Sequence, residues 1–269
     1  MSIDLSKIQF VAIGLDHPED LAIDDNGMIY CGGELGQIYK IDLNGNVEQI
    51  CCTGGFSLGM NFGPDGYLYV CNHKLGAVLK VSTSGEWSVF AEFAGQVKVR
   101  LPNYPVFDQQ GRLYVSDSGD WKQNNGAIYR FTLDGQGEVF HEGPFQFANG
   151  LALSPANDRL FIVESNANRV VTLAVKPDGS AGEKSVYVDE LYNVPDGIAL
   201  DGQGNLYVTC FATNRIYKVD STGRKEIVVE DPDGIFIAAP TNCVIGVAHR
   251  DELYFANLNS HFIGKITIS

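Results

Sequence analysis

The sequence predicts an all-β chain, a six-bladed β-propeller with four-stranded blades, and three observations predict it. One segment recurs six times: an opening residue, a short apolar stretch, a Gly-containing turn and a central aromatic at Tyr30, Tyr69, Tyr114, Phe161, Tyr207 or Tyr254. The openers, Glu19, Leu58, Asn103, Asn149, Asp196 and Asn242, stand 39, 45, 46, 47 and 46 residues apart, each 11 or 12 positions before its aromatic. A period of about 40–50 residues made of short strands and turns is the mark of propeller blades. No long segment carries helical periodicity.

The elements follow in order. In blade one, 19–23 starts at the axis, 24–27 turns, 28–31 returns, 37–42 forms the third strand, and Asn44-Gly45 leads into 47–52. Fourth strands recur at 87–92, 138–142, 185–189 and 225–230. Segments such as 113–116 and 205–209 are short and rich in β-branched or aromatic residues, as strands require. Asn26-Gly27, Asn44-Gly45, Asp65-Gly66, Asp134-Gly135 and Asp178-Gly179 supply residues that tolerate positive φ at hairpin turns. The sixth copy reaches only its third strand, 262–268, while a strand-like segment, 8–13, precedes blade one. An N-terminal strand is therefore expected to close the last blade, tying the ends together and removing an open seam.

The repeat covers the 269 residues without a linker, so one domain, 1–269, is expected. No apolar run approaches the length of a membrane span, and the first residues lack a basic region followed by an apolar one. These features predict a cytoplasmic protein without membrane contact. Net charge is −14, with no cluster of Lys or Arg, which excludes nucleic acid as a partner because phosphates would be repelled. The six cysteines include no Cys-x-x-Cys pair, and the expectation is buried, reduced thiols.

Five of the six openers are hard oxygen ligands. A propeller brings equivalent residues together around one axis, so these carboxylates and amide carbonyls converge at a channel mouth. Asn and Asp also cap turns, so one such residue carries no information. Converging carboxylates, however, repel one another and favour a neutralising cation. Glu19, Asn149 and Asp196 are expected as direct ligands, with Asn103 a fourth ligand or a substrate contact. Asp20 would support them, and Asn242 would face the channel. The all-oxygen set suits a divalent cation of the calcium type, with Mg, Mn or Zn as alternatives.

These residues carry a family resemblance. Pro18-Glu19-Asp20, Val70-Cys71-Asn72-His73, the run from Asn103 through Asp108 to Gly111-Arg-Leu-Tyr-Val-Ser-Asp117, Asn149-Gly-Leu-Ala-Leu-Ser-Pro155 and Pro195-Asp196-Gly-Ile-Ala-Leu-Asp201 occur in that order. Across essentially the whole chain the sequence resembles the senescence-marker-protein / gluconolactonase / luciferin-regenerating-enzyme family, which shares its propeller with paraoxonases and strictosidine synthase-like proteins. The resemblance implies a metal-dependent hydrolase of a small-molecule lactone or ester, with a cation at Glu19, Asn149 and Asp196. It implies catalytic roles for Asp196, as general base, and for Asn103 beside the cation.

The chain departs from the family pattern in two places. Leu101 and Tyr104 stand where sugar lactonases carry an Arg and an Asp that contact substrate hydroxyls. Arg100 is one residue out of register, so a less hydroxylated, more apolar substrate is expected. Secondly, His73 falls in the segment that supplies one of a His pair in paraoxonases, without its partner. Asn103, Tyr104, Arg100, His73 and Trp121 are the expected substrate contacts, Trp121 as a platform on the long polar loop 117–125. A non-hydrolytic isomerase, cyclase or condensing enzyme and a metal-stabilised binding propeller are the alternatives. A monomer or weak homo-oligomer is expected.

Overall fold

The computed structural model describes residues 2–268; Met1 and Ser269 lie outside the described residues. Six four-stranded antiparallel sheets stand around one axis. Their innermost strands are Leu21–Ile23, Ser57–Phe62, Pro102–Phe107, Ala148–Leu153, Pro195–Leu200 and Pro240–Ile245. Each packs against the next in cyclic order and the last returns to the first, which makes a closed ring. The last blade takes its outer strand from Gln9–Ile13, paired antiparallel with Phe262–Thr267, as the sequence predicts.

The strands form because their residues bury on both faces. A blade is sandwiched between two neighbours, so its middle strands are continuously apolar rather than alternating. Leu68–Asn72, Leu113–Asp117 and Leu206–Cys210 are buried throughout. The repeated aromatics Tyr30, Tyr69, Tyr114 and Tyr207 are all fully buried, each worth roughly 1.5–3 kcal/mol of transfer energy. Six apolar clusters result, one at each seam between blades.

Turns at the far end of blades one, three and five use one device. Asp24 Oδ1 accepts from the amides of Asn26 and Met28, and Gly27 closes the turn at φ +82°. Asp42, Asp108, Asp201 and Asp220 repeat the acceptor role, at 2.8–3.1 Å. Elements that the repeat does not foretell are a two-stranded hairpin, Phe93–Ala94 with Val97–Lys98, and three single-turn 3-10 helices. All six cysteines are free, and four are buried. Cys51 is half-buried and Cys52 exposed, which corrects the expectation that all are buried, because the outer strand Val47–Cys52 has no blade over one face.

Candidate metal centre

The site begins with a backbone irregularity. In five blades the ladder between first and second strands breaks at the opener, so two residues face one. In blade three Pro102 pairs with Asp117 and Pro105 with Val115, which leaves Asn103 and Tyr104 opposite Ser116. The Ser116 hydroxyl accepts from the amide of Tyr104 and donates to Asn149 O at 2.7 Å. In blade five Thr209 takes the amide of Gly197 and donates to Thr241 O at 2.6 Å. These hydroxyls satisfy the amides freed by the bulge and fasten each opener to the next blade.

The bulge also corrects one register assignment. In blade six Pro240 pairs with Asn257 and Cys243 with Phe255, so the bulged pair is Thr241 and Asn242. Thr241, not Asn242, is the counterpart of Asp196. The turn of blade six is longer than the others, so counting back from the aromatic lands one residue late. Thr241 Oγ1 donates to Glu19 O at 2.6 Å, joining blades six and one.

Glu19, Asn103, Asn149, Asp196 and Thr241 are all buried. Among the described residues, Glu19 Oε2, Asn149 Oδ1 and Asp196 Oδ1 are buried oxygens without a hydrogen-bond partner. Burial pushes the Glu19 carboxyl well up, Asp196 and Asp20 add repulsion, and only the Thr241 hydroxyl opposes the rise. Burial likewise raises Asp196 to about 7, against the neighbouring Asn149 amide. Three unpaired hard oxygens from three blades, two of them on mutually repelling carboxylates, fit a divalent cation and are costly without one.

Other buried acids show the contrast. Asp117 Oδ2 accepts from the amides of Arg100 and Leu101, at 2.8 and 3.2 Å. Glu164, fully buried, meets Arg169 Nε at 2.6 Å, Lys184 Nζ at 3.3 Å and the Gln146 amide at 3.0 Å. Those carboxylates hold loops to blades, whereas among the described residues Glu19 Oε2 and Asp196 Oδ1 meet no donor.

Behind the ring, Asp20 and the second bulge residues of the other five blades form another layer: Gly59, Tyr104, Gly150, Gly197 and Asn242. Asp20 Oδ2 accepts from the Met60 amide at 2.5 Å, while Oδ1 is unpartnered. A Cβ on Gly59 would meet Asn103 O and the Tyr104 ring, and one on Gly197 would meet the Asn242 amide. Glycine there lets the inner strands approach. Tyr104 is buried in this layer, and burial together with Asp20, Cys243 and Cys71 pushes its phenol up. It therefore fills the channel behind the ring and is not a rim contact.

The remaining expected contacts separate. Arg100 is half exposed and turned toward loop 117–125, donating from Nη2 to Asn125 O at 3.1 Å. Trp121 is exposed on that loop and packs edge-to-face on Phe147. His73 is exposed in the turn after Asn72. Asp16, His17 and Glu34 also gather, with one ligand atom each lying within 4.8 Å of the others. His17 Nδ1 lies 2.9 Å from Asp16 and 3.4 Å from Glu34, and its ring meets that of His261 at 5.2 Å. That group is partly exposed and its members are already paired, unlike the ring. No repeat marks it; Phe147 stands two residues before Asn149, the position at which His17, Val194 and Ala239 also have positive φ.

A family model described as the SMP-30/gluconolactonase/LRE-like region matches residues 23–259, and one described as strictosidine synthase-like, N-terminal, matches residues 3–41. The chain is 28% identical over 228 residues to strictosidine synthase-like protein 6 of Arabidopsis thaliana, covering 76% of this chain and 59% of that protein. It is 26% identical over 214 residues to a gluconolactonase of Zymomonas mobilis, covering 71% and 53% respectively. The chain thus spans somewhat more than half the length of these curated relatives. The solved structure of a gluconolactonase from Xanthomonas campestris superposes with a TM-score of 0.83 at 16% identity, over 97% of this chain and 89% of that one. With the family model covering most of its length, the chain belongs to the SMP-30/gluconolactonase/LRE-like family.

Proposed function

We propose that this protein hydrolyses a lactone or related ester with a divalent cation, of the calcium type, held by Glu19, Asn149 and Asp196, with Asn103 beside it. The observation that carries the reading is the set of unpartnered buried oxygens on Glu19, Asn149 and Asp196. Relatives named gluconolactonase and lactonase support the reaction class. A solved neighbour at TM-score 0.77, described as a calcium-binding protein, regucalcin, supports the choice of ion.

When bound, the cation supplies Lewis-acid polarisation of the ester carbonyl. The chain's own groups do the rest. Asp196, with one carboxylate oxygen toward the cation, would use its other oxygen to take a proton from an attacking water. Asn103 presents an amide beside it that can donate to the carbonyl oxygen as negative charge builds. Tyr104 and the glycine layer close the channel behind, so substrate enters and product leaves by the mouth.

Hydrolysis of a panel of aliphatic and aromatic lactones tests the reading. Activity should disappear on chelation, return with calcium, and fall by about 10²–10⁴-fold in Asp196→Ala. Activity that survives both chelation and the substitution would sink it. A second reading, a non-hydrolytic biosynthetic enzyme, draws on the match to the strictosidine synthase-like protein. A folded, cation-loaded protein inert toward every ester would favour that reading. Six free thiols fit a reducing, cytoplasmic setting.

A further inference from the structure

A rim loop next to the inner strands carries an exposed tryptophan in contact with a second aromatic ring, which the reaction itself does not require. Loop 118–125 leaves its strand at Asp117, which pairs with Pro102, so it starts level with Asn103 on the mouth side. The loop is clamped along its length. Ser118 Oγ donates to Ala148 O at 2.7 Å, the residue before Asn149. The Asp120 amide donates to Asn125 Oδ1 at 2.9 Å, and Asn125 Nδ2 returns a bond to Asp120 Oδ2 at 2.8 Å. Arg100 locks this pair from outside, with Nη2 on Asn125 O and Nη1 3.6 Å from Asp120 Oδ2.

A loop so fastened presents Trp121 in one place, yet leaves it 48% exposed. The indole meets Phe147 edge-to-face, with centroids 4.8 Å apart at 82°. Phe147 stands two residues before Asn149 at φ +63°, where its carbonyl accepts from the Ser165 amide at 3.2 Å. His17, Val194 and Ala239 share that left-handed conformation two residues before Glu19, Asp196 and Thr241, so the blade entry sets the direction in which Phe147 leaves the chain. Two aromatic rings thus meet on segments that lead directly from Asn103's blade and into Asn149, with part of the indole left exposed. Leu101, half-buried at the entrance, adds apolar surface.

We infer that Trp121 and Phe147 form a specificity wall for a flat apolar ring carried by the substrate, an aromatic lactone or ester. Arg100 is then a positioning residue that acts through the loop and never touches substrate. The assignment of a lactone or ester rests on the hydrolase reading; the preference for an aromatic ring does not.

Two lactams that resist hydrolysis separate the questions: dihydroquinolin-2-one, which carries a fused benzene ring, and piperidin-2-one, which lacks it. Binding is measured by calorimetry on the calcium-loaded protein. In a Trp87→Phe background, fluorescence then reports Trp121 alone. The fused lactam should bind about ten-fold tighter, in line with the worth of aromatic contacts, and should quench Trp121. Trp121→Ala and Phe147→Ala should erase the preference, whereas Trp121→Phe should retain most of it. Arg100→Ala should weaken the fused lactam alone, leaving piperidin-2-one unchanged. Equal affinities in the wild type, no binding of the fused lactam at millimolar concentration, or a preference untouched by Trp121→Ala would overturn the inference. A protein that shows the preference yet hydrolyses no ester overturns the hydrolase reading and leaves this one standing.

Discussion

The buried acids of this chain divide by what their oxygens meet. Asp117 and Glu164 are saturated by amides and cations, and removing either would leave donors unpaired in the interior. Glu19, Asp20 and Asp196 keep oxygens that nothing satisfies, at a cost the fold bears for the site. Asp231 shows the ordinary use of a carboxylate in the loop that feeds blade six. Its Oδ2 accepts from the amides of Phe236 and Ile237, at 2.6 and 3.0 Å. Burial alone would raise its pKa, but the amides outweigh burial and hold it below the usual carboxylate range. The unfolded chain therefore binds the proton more readily. The stabilisation is complete above the ordinary carboxylate pKa, about 4, and fades as pH falls through the lower folded value. Asp231→Asn keeps the shape and loses the charge, so it should be less stable by about 1–2 kcal/mol at pH 7. Melting both proteins from pH 7 to pH 3 should show the gap close; a gap that holds constant would contradict this account.

At the scale of the element, the strand that closes the ring comes from the other end of the chain. Gln9–Ile13 pairs with Phe262–Thr267, Ala12 and Ile8 are buried, and Phe10 meets Phe262 edge-to-face at 4.6 Å. Removing residues 2–14 should lower the melting temperature by about 10 °C, since those side chains bury roughly 4 kcal/mol of transfer energy. An unchanged melting temperature would mean the strand does not close the ring. The strand was legible because the sixth repeat is short by one element and an apolar segment stands ahead of the first. The inner-strand bulge was not legible. A bulge adds a residue without changing composition, so Asn242 read as a ring member until the pairing with Phe255 placed Thr241 there.

For the whole molecule, a cation held by the ring of unpaired oxygens, as proposed, would couple folding to its binding. A cation that binds only the folded state at a hundred times its dissociation constant stabilises by about 2.7 kcal/mol. Calcium should therefore raise the melting temperature of chelated protein by about 5–10 °C, and the combined Glu19→Gln, Asp196→Asn variant should show no rise. A wild-type melting curve indifferent to calcium, magnesium and manganese would remove the basis for a resident cation.

The sequence by itself determined the six-bladed architecture, the strand that closes it and the convergence of Glu19, Asn149 and Asp196. A repeat places equivalent residues around an axis whatever surrounds them, so periodicity alone brings these three together. The tertiary structure decided which oxygens lack partners, because satisfaction depends on atoms from neighbouring blades. It also decided that Tyr104 fills the channel and that Arg100 braces a loop. Trp121 and Phe147 lie 26 residues apart with no shared spacing, and they meet only because adjacent blades bring a loop and a strand end to one rim. What repeats in a propeller can be read along the chain, whereas the contacts that distinguish one mouth from another form only across blades.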